Sequence, residues 1–382
     1  MSKKAAEAKY YTSDSIRKAK AVYNVIYGSR SFGKTFDMFK HAVDDYYQAR
    51  KKGTIRQWAY LRRYDTDLKG VNISTAGDTL VCDGNGHNNI PDLTEGTFDT
   101  IAYYQKAWYL AKTVDGKIIK DQKPFMIAFA FPEYEHKKGS AFPYVSDIWF
   151  EEFIGVSGKP INKDEFVVFQ NIISTIARGR HVTIWMTGNT INPFSEYWDW
   201  MGLTKAAVQK PGTIDIYRLG KTDKKIAVER TIERKEYAES KTSNAYLFAF
   251  DDPKLKMITT GEWEIGDYPL FDGEIKTEDI CGKFYVEHKG KFYRGDVISN
   301  GDESYIYIHK DDDFTDPMDI DYDLIYSLNP NSKQNYRQRL DKALTDPERW
   351  IVTLMSMGKV FYDEAWTGVA IADYLAKSLK SA

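Results

Sequence analysis

Only two cysteines occur in the 382 residues, Cys82 and Cys281, and they stand far apart without a C-x-x-C spacing. A disulfide framework is therefore not expected, and reduced thiols are the natural reading. The six histidines form no H-x-x-x-H or H-E-x-x-H pair; Cys82 and His87 are near each other, but no zinc site is expected from them. Long apolar runs are also missing. The longest, such as "FMIAFAFP", stay under ten residues, and the opening "MSKKAAEAKYYTSDSIRKAK" has no apolar stretch of signal type. No membrane span is expected, and the chain should act where it is made. Nor does one sign of charge dominate, because 53 Lys and Arg stand against 55 Asp and Glu for a net −2. A protein coated in basic surface is excluded. Any contact with nucleic acid would be local, in short stretches such as "RKAK" (17–20) or "EHKKGS" (135–140), which elsewhere are usually solvated faces.

What is present is bulk. Hydrophobic residues make up 42% and aromatics 15%, with 27 Tyr and 9 Trp, which predicts a well-packed globular protein and argues against disorder. The length predicts about two domains. The most informative stretch is "IYGSRSFGKTF" (26–36), which fits G-x-x-x-x-G-K-[ST]. Here Gly28, Ser29, Arg30, Ser31, Phe32, Gly33, Lys34 and Thr35 would form a phosphate cradle. Backbone N–H groups would converge on phosphate oxygens, Lys34 would face the β and γ phosphates, and the Thr35 hydroxyl would sit on Mg²⁺. The context agrees. "AVYNVIY" (21–27) reads as a buried strand, and Phe36, Phe39, Ala42, Val43 and Tyr46 recur at helical spacing with Asp37, Lys40, Asp44 and Asp45 between them.

Hydrolysis at such a loop needs a second element, a buried strand ending in carboxylates. "VSDIWFEEFI" supplies it, with Glu151 and Glu152 after the apolar Ile148, Trp149 and Phe150. Glu151 would support Mg²⁺ indirectly and Glu152 would orient and deprotonate water, although an acidic turn at a strand end is the competing reading. The next strand, "HVTIWMTGN" (181–189), ends in Thr187 and Asn189. Asn189 reads either as a sensor of the γ phosphate or as a turn residue. Arg178 and Arg180 in "ARGRH" stand at a helix end, where cations suit the dipole; either could instead reach a neighbouring subunit's phosphates.

Between these motifs, "RQWAYLR" (56–62) and "FMIAFAF" (125–131) read as strands and "FVVFQNIISTIAR" (166–178) as a helix. The alternation predicts an α/β fold with a mostly parallel sheet. Residues 75–132 read as short strands with polar turns, among them the hairpin signal "VDGK" (114–117). Beyond 212 the alternation stops: 213–262 mixes two short strands with a helix near 234–249, and 283–309 reads as a meander of three strands. After the acidic run 310–323, helices are expected from "NYRQRLDKAL" to "AWTGVAIADYLAKSL". In the meander Glu287 lies in the first strand, Asp363, Glu364 and Asp373 stand near the end, and Lys283, Lys289, Lys291 and Arg294 line the first hairpin.

The ordered blocks "YNVIYGSRSFGKT", "WAYLRRYD", "KKGSAFPYVSDIWFEEFI", "ISTIARGR" and "TGNTINPF" resemble the DNA packaging ATPases of small phi29-type phages over residues 20–200. The resemblance implies an ASCE-type P-loop ATPase domain over 1–212, a small linker domain over 213–262 and an RNase H-like α+β nuclease-like domain without activity over 263–382. It further implies ATP and Mg²⁺ as ligands and a homo-oligomeric ring, a pentamer, that drives double-stranded DNA into a procapsid. The portal, and with it a structural packaging RNA, would be partners, and the ring would dock transiently on the procapsid in the host cytoplasm. By the same matching Arg178 falls on the trans-acting arginine, Glu152 on the catalytic glutamate and Lys138 on a basic interface position. The family usually has Asp where this chain has Glu151, and 83–120 has no clear counterpart. A P-loop phosphotransferase on a small molecule, a packaging terminase with an active nuclease and a cellular DNA translocase stay open as alternatives.

Overall fold

The computed structural model describes residues 11–30, 32–70, 73, 76–83, 85–133, 141–155, 164–190, 193–232, 268–301, 303–311 and 323–379. Two compact units divide the chain, one built from its first two thirds and one from Trp263–Ala382 with two short earlier segments.

In the first unit the elements run β1 (Tyr23–Gly28), α1 (Lys34–Lys51), β2 (Gln57–Arg62), β3 (Thr100–Tyr104), β4 (Ala107–Val114), β5 (Lys117–Lys120), β6 (Met126–Ala130), β7 (Val145–Glu151), α2 (Glu165–Ala177), β8 (Thr183–Asn189), β9 (Thr213–Arg218) and β10 (Lys225–Arg230). They form one sheet in the order β3-β4-β6-β2-β7-β8-β1-β10-β9, with β5 paired to β4. The six strands from β6 to β10 in that order are parallel, and the antiparallel members sit at the edges. Strand β8 lies between β1, which leads into the loop at 28–35, and β7, which ends in Glu151, the strand order expected of an ASCE-type fold.

Side-chain alternation fixes what each face carries. Trp58 and Tyr60 of β2, Trp149 of β7 and Trp185 of β8 point to the side of α1, where Phe39 meets Trp149 edge-on at 5.5 Å and Trp58 stacks on Trp185. Phe150 points to the opposite side and packs on Phe169 of α2. The same alternation sends Arg62, Glu151, Thr187 and Asn189, at the carboxyl ends of these strands, to the face of the phosphate loop.

Two sequence readings change here. Asp37, read only as a polar residue between the apolar positions of α1, is buried and accepts the Ser13 N–H at 3.1 Å. The stretch before Thr100, read as short strands, forms helical turns at Asp78–Val81 and Ile90–Leu93, the second with Pro91 in its first turn, and Asp83 holds the turn between them by accepting the Asn85 and His87 N–H groups. The "VDGK" hairpin does form, with Asp115 and Gly116 both at positive φ between Val114 and Lys117. Strands β9 and β10, read from sequence as part of a linker, extend this sheet, and the helix read near 234–249 lies outside the described residues.

The second unit contains β11 (Ile280–His288), β12 (Lys291–Ser299), β13 (Ser304–Lys310), β14 (Leu324–Ser327), β15 (Tyr336–Arg337), α3 (Asp346–Ser356), β16 (Val360–Tyr362) and α4 (Ala365–Ser378). The sheet order is β15-β14-β11-β12-β13-β16. An antiparallel meander of three strands followed by two strands added in parallel beside the first is the RNase H-like topology. Its core places Phe284, Val286, Ile306 and Ile308 under α4. The helix expected from Asn335 is not formed: Asn335 instead accepts the Ile325 N–H and leads into β15, and the helix starts at Asp346 behind a Thr345–Glu348 capping box with Pro347 in its first turn.

Candidate active site

The loop expected to cradle phosphate turns between β1 and α1 on two glycines, for different reasons. At Gly28 a Cβ would lie 1.9 Å from Thr231 Oγ1, so no side chain fits. Gly33 caps α1 at φ 93°, a conformation other residues reach at a cost. Lys34 opens the helix and is buried, its Nζ donating to the Ser29 carbonyl at 2.5 Å and the Gly28 carbonyl at 3.2 Å. Its neighbour Thr35 donates its hydroxyl to Glu151 Oε1 at 2.5 Å. Loop and carboxylate strand thus meet, although 116 residues separate them in sequence.

Glu151 is the hub. Its other oxygen accepts from the Tyr60 hydroxyl and, at 3.1 Å, from Arg62. Burial first, and then the Glu151 charge, holds the Tyr60 phenol well above its ordinary pKa, so Tyr60 stays a donor. Arg62 also donates to Glu152 Oε2 at 2.7 Å and to Asp67 at 3.3 Å. Burial opposes its charge, yet Tyr60, Glu151 and Glu152 around it hold the guanidinium above its ordinary value. Glu152 follows the strand at φ +57°, which turns its half-exposed carboxylate out of the β7 alternation. A left-handed non-glycine residue beside a cluster of charge is the kind of strain that functional sites retain. Arg63 fixes this corner: it donates to the Glu152 and Phe153 carbonyls at 3.1 and 2.8 Å and pairs with the buried Glu165 at the start of α2.

Asn189 stands opposite Gly28 in the β1–β8 register, so the strand end read as a sensor does border the loop. Thr187 is buried and accepts the Trp149 indole N–H at 2.8 Å. Arg180 donates to four main-chain carbonyls, those of Phe142, Pro143, Val145 and Ile176, and thereby ties α2 to the entry of β7. Arg178 caps α2 at φ 44° and is exposed. Ser31 and Lys138 lie outside the described residues. Sequence reasoning missed Tyr60, Arg62 and Arg63. The "YLRRYD" that carries them reads from sequence as a strand with its exit, and its polar end at the carboxyl edge of a parallel strand is the signal available.

In the second unit Glu287 accepts from Ser327 Oγ at 2.6 Å and from Asn329 Nδ2 at 2.9 Å. Asp373 pairs with His288 at 2.7 Å and Lys377 at 2.9 Å. Burial alone would raise that carboxyl, but His288 and Lys377 hold it below its ordinary value. Asp363 accepts the Lys310 and Glu364 N–H groups. Among the described residues no three His, Cys, Asp or Glu side chains group in a way that would hold a metal ion. Of the four hairpin cations, Lys283 and Arg294 share one sheet face by register, and Arg294 is bound to the buried Asp296 at 2.8 Å.

No family model matches the sequence, and no curated protein matches it. Among solved structures, the bacteriophage phi29 viral genome packaging motor assembly is similar at 17% identity, over 97% of this chain and 99% of that one, with a TM-score of 0.50. The fold is that of the phi29 packaging motor. The Phi-28 gp11 DNA packaging motor aligns at 16% identity over 96% and 98% of the two chains, with a TM-score of 0.47. The large terminase of a thermophilic bacteriophage, in complex with ATP-gamma-S, aligns at 11% identity over 94% and 86%, with a TM-score of 0.32. Among the described residues no helix is long and apolar enough to cross a membrane.

Proposed function

We propose that the chain is an ATPase that works as a homo-oligomeric ring on a phage portal and drives double-stranded DNA into the procapsid in the host cytoplasm. The observation that carries this reading is the meeting of Thr35 and Glu151 at 2.5 Å, where a phosphate loop and a carboxylate strand share one point. The donor set fits the ligands. Hydroxyl and carboxylate oxygens suit Mg²⁺, and a loop that ends in Gly33 at the N-terminus of α1 suits a triphosphate. Bound there, the cation neutralises charge on the triphosphate.

The chain's own residues then divide the work. Lys34 faces the β and γ phosphates, and Ser29, Arg30, Ser31, Phe32 and Gly33 wrap them. Glu151 holds the Thr35 side of the site, Tyr60 and Arg62 orient Glu151, and Glu152 takes a proton from the attacking water. Asn189 borders the γ position, and Arg178, exposed at the end of α2, reaches a neighbouring subunit's phosphates. Lys138 belongs to that interface. A pentamer and a structural packaging RNA follow from the family resemblance. In this reading the motor unit is 1–212 together with β9 and β10, the tether ends at 262, and 263–382 handles nucleic acid without cutting it. Glu287 supports the last point, because Ser327 and Asn329 already donate to both of its oxygens.

The test is turnover of the purified full chain against DNA and protein concentration. Wild-type turnover is expected to rise with both. Lys34→Ala should lose nucleotide binding, and Glu152→Gln should keep it while turnover falls by about 10²–10⁴-fold. Turnover indifferent to DNA and concentration, with phosphate passed to a small acceptor, would instead make the chain a phosphotransferase.

A further inference from the structure

The amino-terminal segment closes on the phosphate loop. The Tyr11 main-chain N–H donates to the Phe32 carbonyl at 3.0 Å, and the two rings lie 6.4 Å apart. The Tyr11 hydroxyl donates to Glu229 Oε2 on β10 at 2.8 Å. Two residues on, the Ser13 N–H donates to Asp37 in the first turn of α1, whose own N–H holds the Gly33 carbonyl at 2.9 Å. Tyr11, Ser13 and Asp37 are all buried. The segment is therefore pinned at three places around one loop, and β10 supplies the outermost anchor.

A trans peptide is planar, with its C=O and N–H pointing in opposite directions. The Phe32 carbonyl and the Gly33 N–H belong to one such unit. Holding the carbonyl on Tyr11 therefore holds the Gly33 N–H away from Tyr11. Gly33 itself, at φ 93° and without a Cβ, offers little resistance to a flip of that peptide. We propose that Tyr11 is a positioning residue for nucleotide binding: it straps the Phe32–Gly33 peptide so that the Gly33 N–H faces the phosphates before they arrive. The inference rests on the nucleotide-binding reading above. Its physical basis is preorganisation. When a binding-competent arrangement is populated only in part, the apparent Kd rises in inverse proportion to that fraction.

The test compares Tyr11→Phe, Tyr11→Ala and Tyr11→Pro in the full chain. Phe keeps the N–H and the ring and loses only the hydroxyl bond to Glu229, Ala removes the ring too, and Pro removes the N–H as well. Two quantities are read: the Kd for a fluorescent ATP analogue with Mg²⁺, and amide hydrogen exchange over residues 28–34 without nucleotide. Tyr11→Ala and Tyr11→Pro should raise Kd about tenfold and speed exchange in the loop, the competent arrangement having fallen to about a tenth. Their kcat at saturation should stay within about threefold, because Glu151 and Glu152 are untouched, and Tyr11→Phe should stay within about threefold of wild type in Kd. Wild-type affinity and wild-type exchange in Tyr11→Ala and Tyr11→Pro would overturn the strap, even with a lowered melting temperature. If the wild-type chain binds no nucleotide, the functional reading falls, and exchange in the nucleotide-free protein still decides the strap.

Discussion

Glu229 ties the amino-terminal segment to β10 with a carboxyl whose charge is poorly placed. Burial, with a smaller contribution from the Asp37 charge, pushes its pKa from 4.5 up to about 7, while the Tyr11 hydrogen bond works the other way. A raised carboxyl pKa means that the folded chain holds its proton more tightly than the unfolded chain does. The stability it contributes is complete below about pH 4.5 and is lost as pH rises through about 7. Glu229→Gln should remove that slope and leave the variant more stable than wild type above pH 7, by at most on the order of 3 kcal/mol. Urea titrations at pH 5, 6, 7 and 8 check this, and parallel stability curves for the two proteins would contradict it. Nothing in the sequence around Glu229 announces this. Lys34, Thr35 and Glu151 were legible because their chemistry rests on local motifs with fixed spacing. Tyr11, Arg62 and Asp37 were not, since each gains its partner only when distant strands become neighbours.

Periodicity served long elements well and short ones poorly. The strands of the parallel sheet read correctly because their apolar runs are buried on both faces, and α1 and α2 because a helical stripe over four turns is hard to mistake. Residues 335–344 misled because their Arg, Gln, Leu, Lys and Ala are good helix formers, while tertiary contacts decide the outcome: Asn335 joins β14, and Arg337 pairs with the fully buried Glu348 at 2.6 Å. That carboxylate also accepts the Leu344 and Thr345 N–H groups, so the capping box anchors both the start of α3 and the strand before it. Thr345→Ala should cost about 1 kcal/mol, the ordinary loss of an N-cap. Glu348→Ala should cost more, about 3–5 kcal/mol, because it leaves the Arg337 charge without its buried partner. Chemical denaturation of the two variants orders them, and equal losses would mean that the Arg337 pair contributes nothing beyond the cap.

At the scale of the molecule, the proposal that Arg178 acts in trans makes activity a property of mixtures. Arg178→Ala chains should be inactive alone, given that an arginine finger contributes about 10³–10⁵ to turnover. Mixed with Lys34→Ala chains they should recover part of the ATPase rate, each supplying what the other lacks. No recovery in rings verified as mixed would place Arg178 in its own subunit's site. The order of strands bears on something else, the making of the chain. Strand β1 is made well before its two sheet neighbours, Thr183–Asn189 and Lys225–Arg230. At about 5–20 residues per second, its uncharged "YNVIY" waits roughly 8–30 s with both edges open, and roughly 10–40 s before the second is covered. During that interval the nascent chain presents a bare β-strand to anything that pairs with one. A fragment cut at 212 never ends the wait, because β10 is missing and β1 keeps an unpaired edge; such a fragment is expected to aggregate where one ending after Thr231 does not.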